Sequence, residues 1–214
     1  MNLPNVPFNW VDLVVVAALL VGALIGRKKG MSEELLPVFQ WLAIVAVGAL
    51  YYEPFGKFLA EYTNLSLLPA YLIVYLGILL GHVLFFSWLK RIVGEKLVAS
   101  DIFGRLEFYL GMAAGAARFG CIVMVAFAML HARYISPDQL AAEAKMQREN
   151  FGSITFPTLG LLQQSVFEKS AVGRAVKKYL NEQLIAATPP NRYLVKRESV
   201  TRRRERAVDE VMGK

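Results

Sequence analysis

The sequence predicts an all-α protein: a four-helix transmembrane bundle, then a C-terminal amphipathic helical region and a partly disordered basic tail. Composition is the first observation: 56% of the 214 residues are hydrophobic and 19% are charged, whereas soluble domains carry about 25% charged residues. The second is charge distribution, since only nine of the 24 Lys and Arg residues precede residue 131. The third is a set of four long apolar segments. Together they indicate a membrane domain with a polar C-terminal extension.

The predicted membrane domain covers residues 1–130 and contains four spans. A helix needs about 20 mainly apolar residues to cross about 30 Å of hydrocarbon. The segments that meet or nearly meet this length are residues 8–26, 35–52, 65–89 and 108–130. The alternative is a soluble bundle, but its helices would show polar faces, and these segments mostly lack one. The lipid bilayer is therefore the first expected partner.

Basic residues between the spans predict the orientation in the membrane. Arg27, Lys28 and Lys29 follow the first span, and four more cations lie between the third and fourth spans. Lys57 is the only cation between the second and third. Because short cytoplasmic loops are rich in Lys and Arg, we expect the first and third loops in the cytoplasm. The chain is then a multi-pass membrane protein with both termini outside the cytoplasm, which is the periplasm if the cell is a Gram-negative bacterium.

Residues 131–190 are predicted to be polar and amphipathic helices. Ser136, followed by a proline, is a good start for a short polar helix. Residues 158–187 then show apolar positions at mostly helical spacing, interrupted near Gly173 and ended by Thr188 and two prolines. This amphipathic helix either lies on the membrane surface or packs on the membrane domain or a partner.

The basic run of residues 191–214 is predicted to be disordered. Its arginines could suggest nucleic acid binding, but a tail outside the cytoplasm would meet none. Nucleic acid is therefore not an expected partner.

Glycines recur at every fourth position in three of the spans, and small residues let membrane helices approach closely. These glycines are Gly22, Gly26 and Gly30, then Gly77 and Gly81, then Gly111 and Gly115. They predict a compact bundle or a homo-oligomer, or contact with another membrane protein, with the first and last spans meeting at Gly26, Gly111 and Gly115. The alternative is that they reflect the general abundance of glycine in membrane helices.

Three ionisable residues lie within the spans: Asp12, His82 and Arg118. Such residues mark candidate sites because they are costly in lipid and need a partner or water. We expect Arg118 to face the interior and to pair with Glu34 or Glu33, with Asp12 as a further possible carboxylate. The pair either fixes helix register or belongs to a polar path lined by Arg118 and His82. His82 alone is expected to be a packing residue hydrogen-bonded across helices.

Motifs of enzyme chemistry are largely missing from the sequence. The single cysteine, Cys121, can form no internal disulfide or metal cluster. The two histidines form no HExxH pair, and neither a phosphate-binding loop nor a GxSxG nucleophile motif occurs. We therefore expect no catalytic residues, no cofactor and no metal.

The stretch WVDLVVVAALLVGALIGRKKGMSEELL resembles the start of the colicin V production protein (CvpA) family. That family has an Asp early in its first span and then the pattern G-x-x-[RK]-G-x-x-x-E. The matching residues are Asp12, Gly26, Lys29, Gly30 and Glu34.

The last span is similar to the family's second pattern, an acidic residue followed by G-x-x-x-G-x-x-R-G. The matching residues are Glu107, Gly111, Gly115 and Arg118. The acidic residue is usually Asp in the family, and here Phe119 stands between the arginine and the next glycine. The resemblance covers residues 9–130 and leaves the chain after residue 131 outside it.

The resemblance implies a bacterial inner-membrane protein linked to production or export of the peptide toxin colicin V, or to a more general envelope process, without catalytic activity. The alternative from a different class is a small channel or transporter with a polar path lined by Arg118 and His82.

Overall fold

A computed structural model describes residues 9–98, 104–151 and 158–191. Its α-helices are α1 (Trp10–Lys29), α2 (Met31–Thr63), α3 (Leu67–Val98), α4 (Glu107–His131), α5 (Pro137–Phe151), α6 (Leu159–Gln164) and α7 (Ala171–Tyr179). Short 3-10 turns cover Gly104–Leu106 and Asn181–Gln183, and a π-helical turn covers Ser165–Lys169. The all-α fold class predicted from the sequence is confirmed.

Helices α1 to α4 are each long and apolar enough to cross a membrane. They contain nearly all of the four predicted spans, but α2 begins at Met31 and ends at Thr63, well beyond residues 35–52. The predicted first loop is reduced to Gly30, which has φ 80° and ψ 170°, a backbone conformation that is essentially restricted to glycine. The reversal between α1 and α2 thus depends on this one residue.

The four long helices do not all contact one another equally. α4 packs along both α1 and α2, and α3 packs along α2. α1 and α2 are consecutive in sequence but contact each other little. Below, the end of this domain that holds Gly30 and Glu107 is called the Gly30 end, and the opposite end is called the His131 end.

Glycines allow the close approach of α1 and α4. A Cβ atom on Gly26 would overlap the carbonyl oxygen of Gly111, and one on Gly22 would lie 2.5 Å from the carbonyl oxygen of Gly115. The predicted meeting of the first and last spans is therefore found. By contrast, a Cβ on Gly77 or Gly81 would have no atom within 4 Å, so this glycine pair is not used for packing within the described chain. Self-association stays a prediction.

Residues 158–191 pack on the His131 end of the membrane domain. Phe167 lies against Phe127 of α4, with ring centroids 5.8 Å apart, and Leu184 and Ile185 are buried. A short bridge forms where the Thr188 N–H donates to the Ala132 carbonyl at 2.8 Å. Of the two interpretations of the amphipathic segment, packing on the membrane domain is the one observed.

The amphipathic segment is interrupted at Ser170, three residues before Gly173, near which the sequence predicts a break. The predicted end at Thr188 is wrong, because the last α-helical residue is Tyr179. The break has a local cause, since the side chain of Ser170 caps the start of α7 by accepting from the Gly173 N–H at 2.9 Å. The predicted disordered tail lies outside the described residues from residue 192 onward.

Candidate functional site

A buried ion pair joins α2 to α4 near the Gly30 end. Arg118 Nη1 lies 3.0 Å from Glu34 Oε2, and the Glu34 side chain has no exposed surface while that of Arg118 is 13% exposed. Helical side chains lean toward the N-terminus of their helix, so Arg118 leans toward the Gly30 end, where Glu34 lies. The guanidinium also lies over the ring of Phe119, 5.2 Å from its centroid, a favourable cation–π geometry.

Lys29 completes the charge distribution around Glu34. Its Nζ lies 3.8 Å from Glu34 Oε1, and its side chain is 43% exposed. Glu34 therefore has one buried and one largely exposed cation, from α4 and α1. Within the described residues, neither carboxylate oxygen of Glu34 has a hydrogen-bond partner, nor does Arg118 Nε. The attraction between Glu34 and Arg118 is thus mainly charge on charge, and the low polarity around this buried pair makes it strong.

Glu107, the first residue of α4, ties that helix to the start of α2. Its Oε1 accepts a hydrogen bond from the Ser32 N–H at 2.8 Å, which satisfies one of the free N–H groups of the first turn of α2. A Cβ on Gly30 would lie 2.5 Å from Glu107 Oε1. Gly30 therefore serves both the chain reversal and the approach of this carboxylate.

The fold thus brings eight of the ten predicted site residues to one region between α1, α2 and α4. They are Gly26, Lys29, Gly30, Glu34, Glu107, Gly111, Gly115 and Arg118. The glycines set the helix spacing, and the charged side chains cross the gaps between helices. Chemically, this region pairs the buried carboxylate of Glu34 with one mostly buried and one exposed cation.

Asp12 lies elsewhere, at the His131 end, and does not pair with Arg118. It is 1% exposed, and its carboxylate accepts hydrogen bonds from Ser170 Oγ at 2.8 Å, Ala171 N at 3.1 Å and Val172 N at 2.9 Å. It also accepts from the Asn9 N–H at 2.9 Å. One carboxylate therefore caps the N-termini of both α1 and α7, where a negative charge is favourable.

His82 also lies outside the region between α1, α2 and α4 that holds the ion pair. Its Nδ1 bonds to the Ile78 carbonyl of its own helix at 2.8 Å, so the bond across helices that the sequence suggested is not the one observed. His82 belongs to α3, which packs along α2, whereas Arg118 belongs to α4. The two residues proposed to line one path are thus on helices with little mutual contact.

The sequence did not indicate several residues that join the C-terminal region to the membrane domain. Tyr52 Oη accepts from the Ala186 N–H at 3.1 Å, and His131 Nδ1 bonds to the Ile185 carbonyl at 2.9 Å. Gln163 Nε2 donates to the Arg133 carbonyl at 2.7 Å. Only Ser170 carried a usable sequence signal, as a helix-capping residue before a run of helix formers.

Within the described ranges, no group of three or more His, Cys, Asp or Glu side chains is placed to hold a metal ion. Cys121 is a free, half-buried thiol in α4.

A family model described as "Colicin V production protein" matches residues 11–154. The match extends through α5, so limiting the resemblance to residues 9–130 was wrong for residues 131–154. No curated protein and no solved structure matched the chain. The family's two sequence patterns form one connected region in space, apart from Asp12, and the family model matches about two thirds of the chain. The chain belongs to the colicin V production protein family.

Proposed function

We propose that this protein is a non-enzymatic inner-membrane component that supports toxin production or export, or a more general process of the cell envelope. The support for a toxin-linked role is family membership over residues 11–154. The support for a scaffold, as opposed to a catalyst or a channel, comes from how the polar residues of the spans are used.

The observation that carries this proposal is the Glu34–Arg118 ion pair. The carboxylate has no exposed side-chain surface, and its two cationic neighbours come from the two helices that flank it. A conducting path needs polar groups that water can reach, whereas this pair is enclosed between helices. Its physical role is to lock α2 and α4 in one register.

The second support is Asp12, which fastens the C-terminal region to the membrane domain through Ser170 and the first turn of α7. The scaffold therefore has a membrane part and a folded cap at its His131 end. We propose that this cap lies in the periplasm, because the Gly30 end carries the cations Arg27, Lys28 and Lys29. Partner proteins of the export process then meet the cap.

Complementation tests the role in the cell. A strain that carries a colicin V operon and lacks its own family member is supplied with the wild-type chain, and released toxin is measured as inhibition of a sensitive lawn. We expect the wild type and Glu33→Gln to restore release, and Glu34→Gln to fail. Wild-type protein that reaches normal levels without restoring release would overturn the toxin-linked role.

Reconstitution separates the scaffold from the channel. Purified protein in liposomes should give proton and potassium fluxes no higher than empty liposomes. Flux that depends on both Arg118 and His82 would establish the alternative of a polar path and refute the scaffold.

A further inference from the structure

A cleft lies between α1 and α4 at the Gly30 end, outside the ion-pair region described above. It has a volume of about 520 Å³ and is lined by Leu24, Arg27, Lys28, Phe108, Tyr109 and Met112. The α1 residues are spaced so that they share one face of the helix, as Phe108 and Met112 do on α4. The close contact of Gly26 with Gly111 holds these two faces side by side.

The cleft contains two cations, Arg27 and Lys28. Within the described residues, Lys29 is paired with Glu34, but neither Arg27 nor Lys28 forms an ion pair. Both side chains are exposed. The nearby Glu107 carboxylate is directed at the Ser32 N–H instead. As far as the described part of the chain goes, the cleft therefore carries two positive charges and no anionic partner.

The depth and composition of the cleft match the boundary between headgroups and acyl chains. Arg27 and Lys28 are in the last turn of α1, and Phe108 and Tyr109 are in the first turn of α4. Tyrosine concentrates at membrane interfaces, where its ring and its hydroxyl meet different surroundings. Leu24 and Met112 lie deeper along their helices and give the cleft an apolar wall.

We propose that this cleft binds one anionic phospholipid, with its phosphate between Arg27 and Lys28 and one acyl chain along Leu24 and Met112. Basic pockets between membrane helices hold anionic headgroups by charge. A soluble phosphate compound would use the cations but not the apolar wall, so the lipid is the ligand that fits the whole cleft. This site is independent of the proposed export role.

Native mass spectrometry of the full chain measures the expected preference. The protein is extracted from vesicles containing equal amounts of phosphatidylglycerol and phosphatidylcholine, and retained lipids are counted. We expect one retained phosphatidylglycerol, preferred by about 25-fold, since each surface cation contributes roughly a fivefold preference. Equal retention of the two lipids would overturn the proposal.

Two double variants that each remove two positive charges test whether the lipid binds in this cleft. Arg27→Gln/Lys28→Gln should lose the preference, whereas Lys90→Gln/Arg91→Gln, near the same end on α3, should keep it. Equal losses in both would mean general attraction to anionic membranes without a site. The charge-preserving exchange Arg27→Lys/Lys28→Arg should retain the lipid, and it keeps the test valid if the neutral double variant fails to fold.

Competition distinguishes a lipid from a soluble anion using the wild-type protein alone. Glycerophosphoglycerol, which has the headgroup without acyl chains, should not displace the retained lipid at millimolar concentration. Displacement by it or by inorganic phosphate would assign the cleft to a soluble phosphate compound and refute the lipid proposal.

Discussion

Replacing Glu34 by glutamine tests the ion pair that organises the membrane domain. Glutamine keeps nearly the same shape, so the change removes charge without opening a cavity. Arg118, only 13% exposed, would lose its carboxylate, and Lys29 would lose its partner at 3.8 Å. An uncompensated buried charge costs about 3–5 kcal/mol.

The expected result is a large loss of stability in detergent. For a chain of this length, 1 kcal/mol corresponds to roughly 2–4 °C in the unfolding midpoint, so Glu34→Gln should lower it by roughly 6–20 °C. Thermal unfolding followed by circular dichroism or by loss of monodispersity measures this shift. Lys29→Gln should cost less than about 1 kcal/mol, because its side chain is 43% exposed and exposed pairs are weak.

Glu33→Gln is the matched control, since it removes the same charge from an exposed neighbouring residue and should leave the midpoint within about 2 °C. A double-mutant cycle with Arg118→Gln then isolates the pair, and its coupling energy should reach about 2–3 kcal/mol. Additive effects of the two substitutions, or equal shifts for Glu33→Gln and Glu34→Gln, would refute the assignment of this pair.

Three further predictions concern helix packing, the C-terminal cap and topology. Gly115→Leu should abolish compact, monodisperse protein, because the leucine side chain would collide with the backbone of α1 at Gly22. Gly77→Leu is the control, and equal behaviour of the two variants would place the helix contact elsewhere. Asp12→Asn should lower the free energy that holds the C-terminal cap on the membrane domain by about 1–3 kcal/mol. Limited proteolysis after His131 should then become faster, whereas Asp138→Asn should leave it unchanged. Unchanged proteolysis in Asp12→Asn would show that the carboxylate is dispensable. Reporter fusions at residues 131 and 214 should be active only as exported reporters, and cytoplasmic activity at both would reverse the proposed orientation.

The sequence predicted that Arg118 pairs with a carboxylate, Glu34 or Glu33, because an arginine inside an apolar segment leaves few stable arrangements. The structure selects Glu34. The order of four spans followed for a similar reason, since their length and composition are local properties. The first and last residues of α2 could not be predicted in the same way. Its first turn contains Glu33 and Glu34, and charged residues end an apolar segment without ending a helix.

The glycine pairs show what local pattern leaves undecided. Gly77 and Gly81 have the same spacing as Gly111 and Gly115, yet only the second pair contacts another helix in the described chain. Spacing sets which residues share a helix face, but the packing partner depends on how all four helices are arranged. The sequence specifies which glycines share a helix face, and the tertiary structure determines which of these faces pack against each other.

By itself, the sequence determined the four membrane helices, the helix faces on which the glycines lie, and the need of Arg118 for a carboxylate partner. Each of these depends only on a short segment and on the cost of moving that segment from water into the membrane. The tertiary structure alone decided the role of Asp12. Its partner Ser170 is 158 residues away in the chain, and both residues look like ordinary caps of their own helices. A single carboxylate can cap two helices only when folding brings the N-terminal ends of both helices together. No local sequence pattern indicates that these two helix ends are close in space.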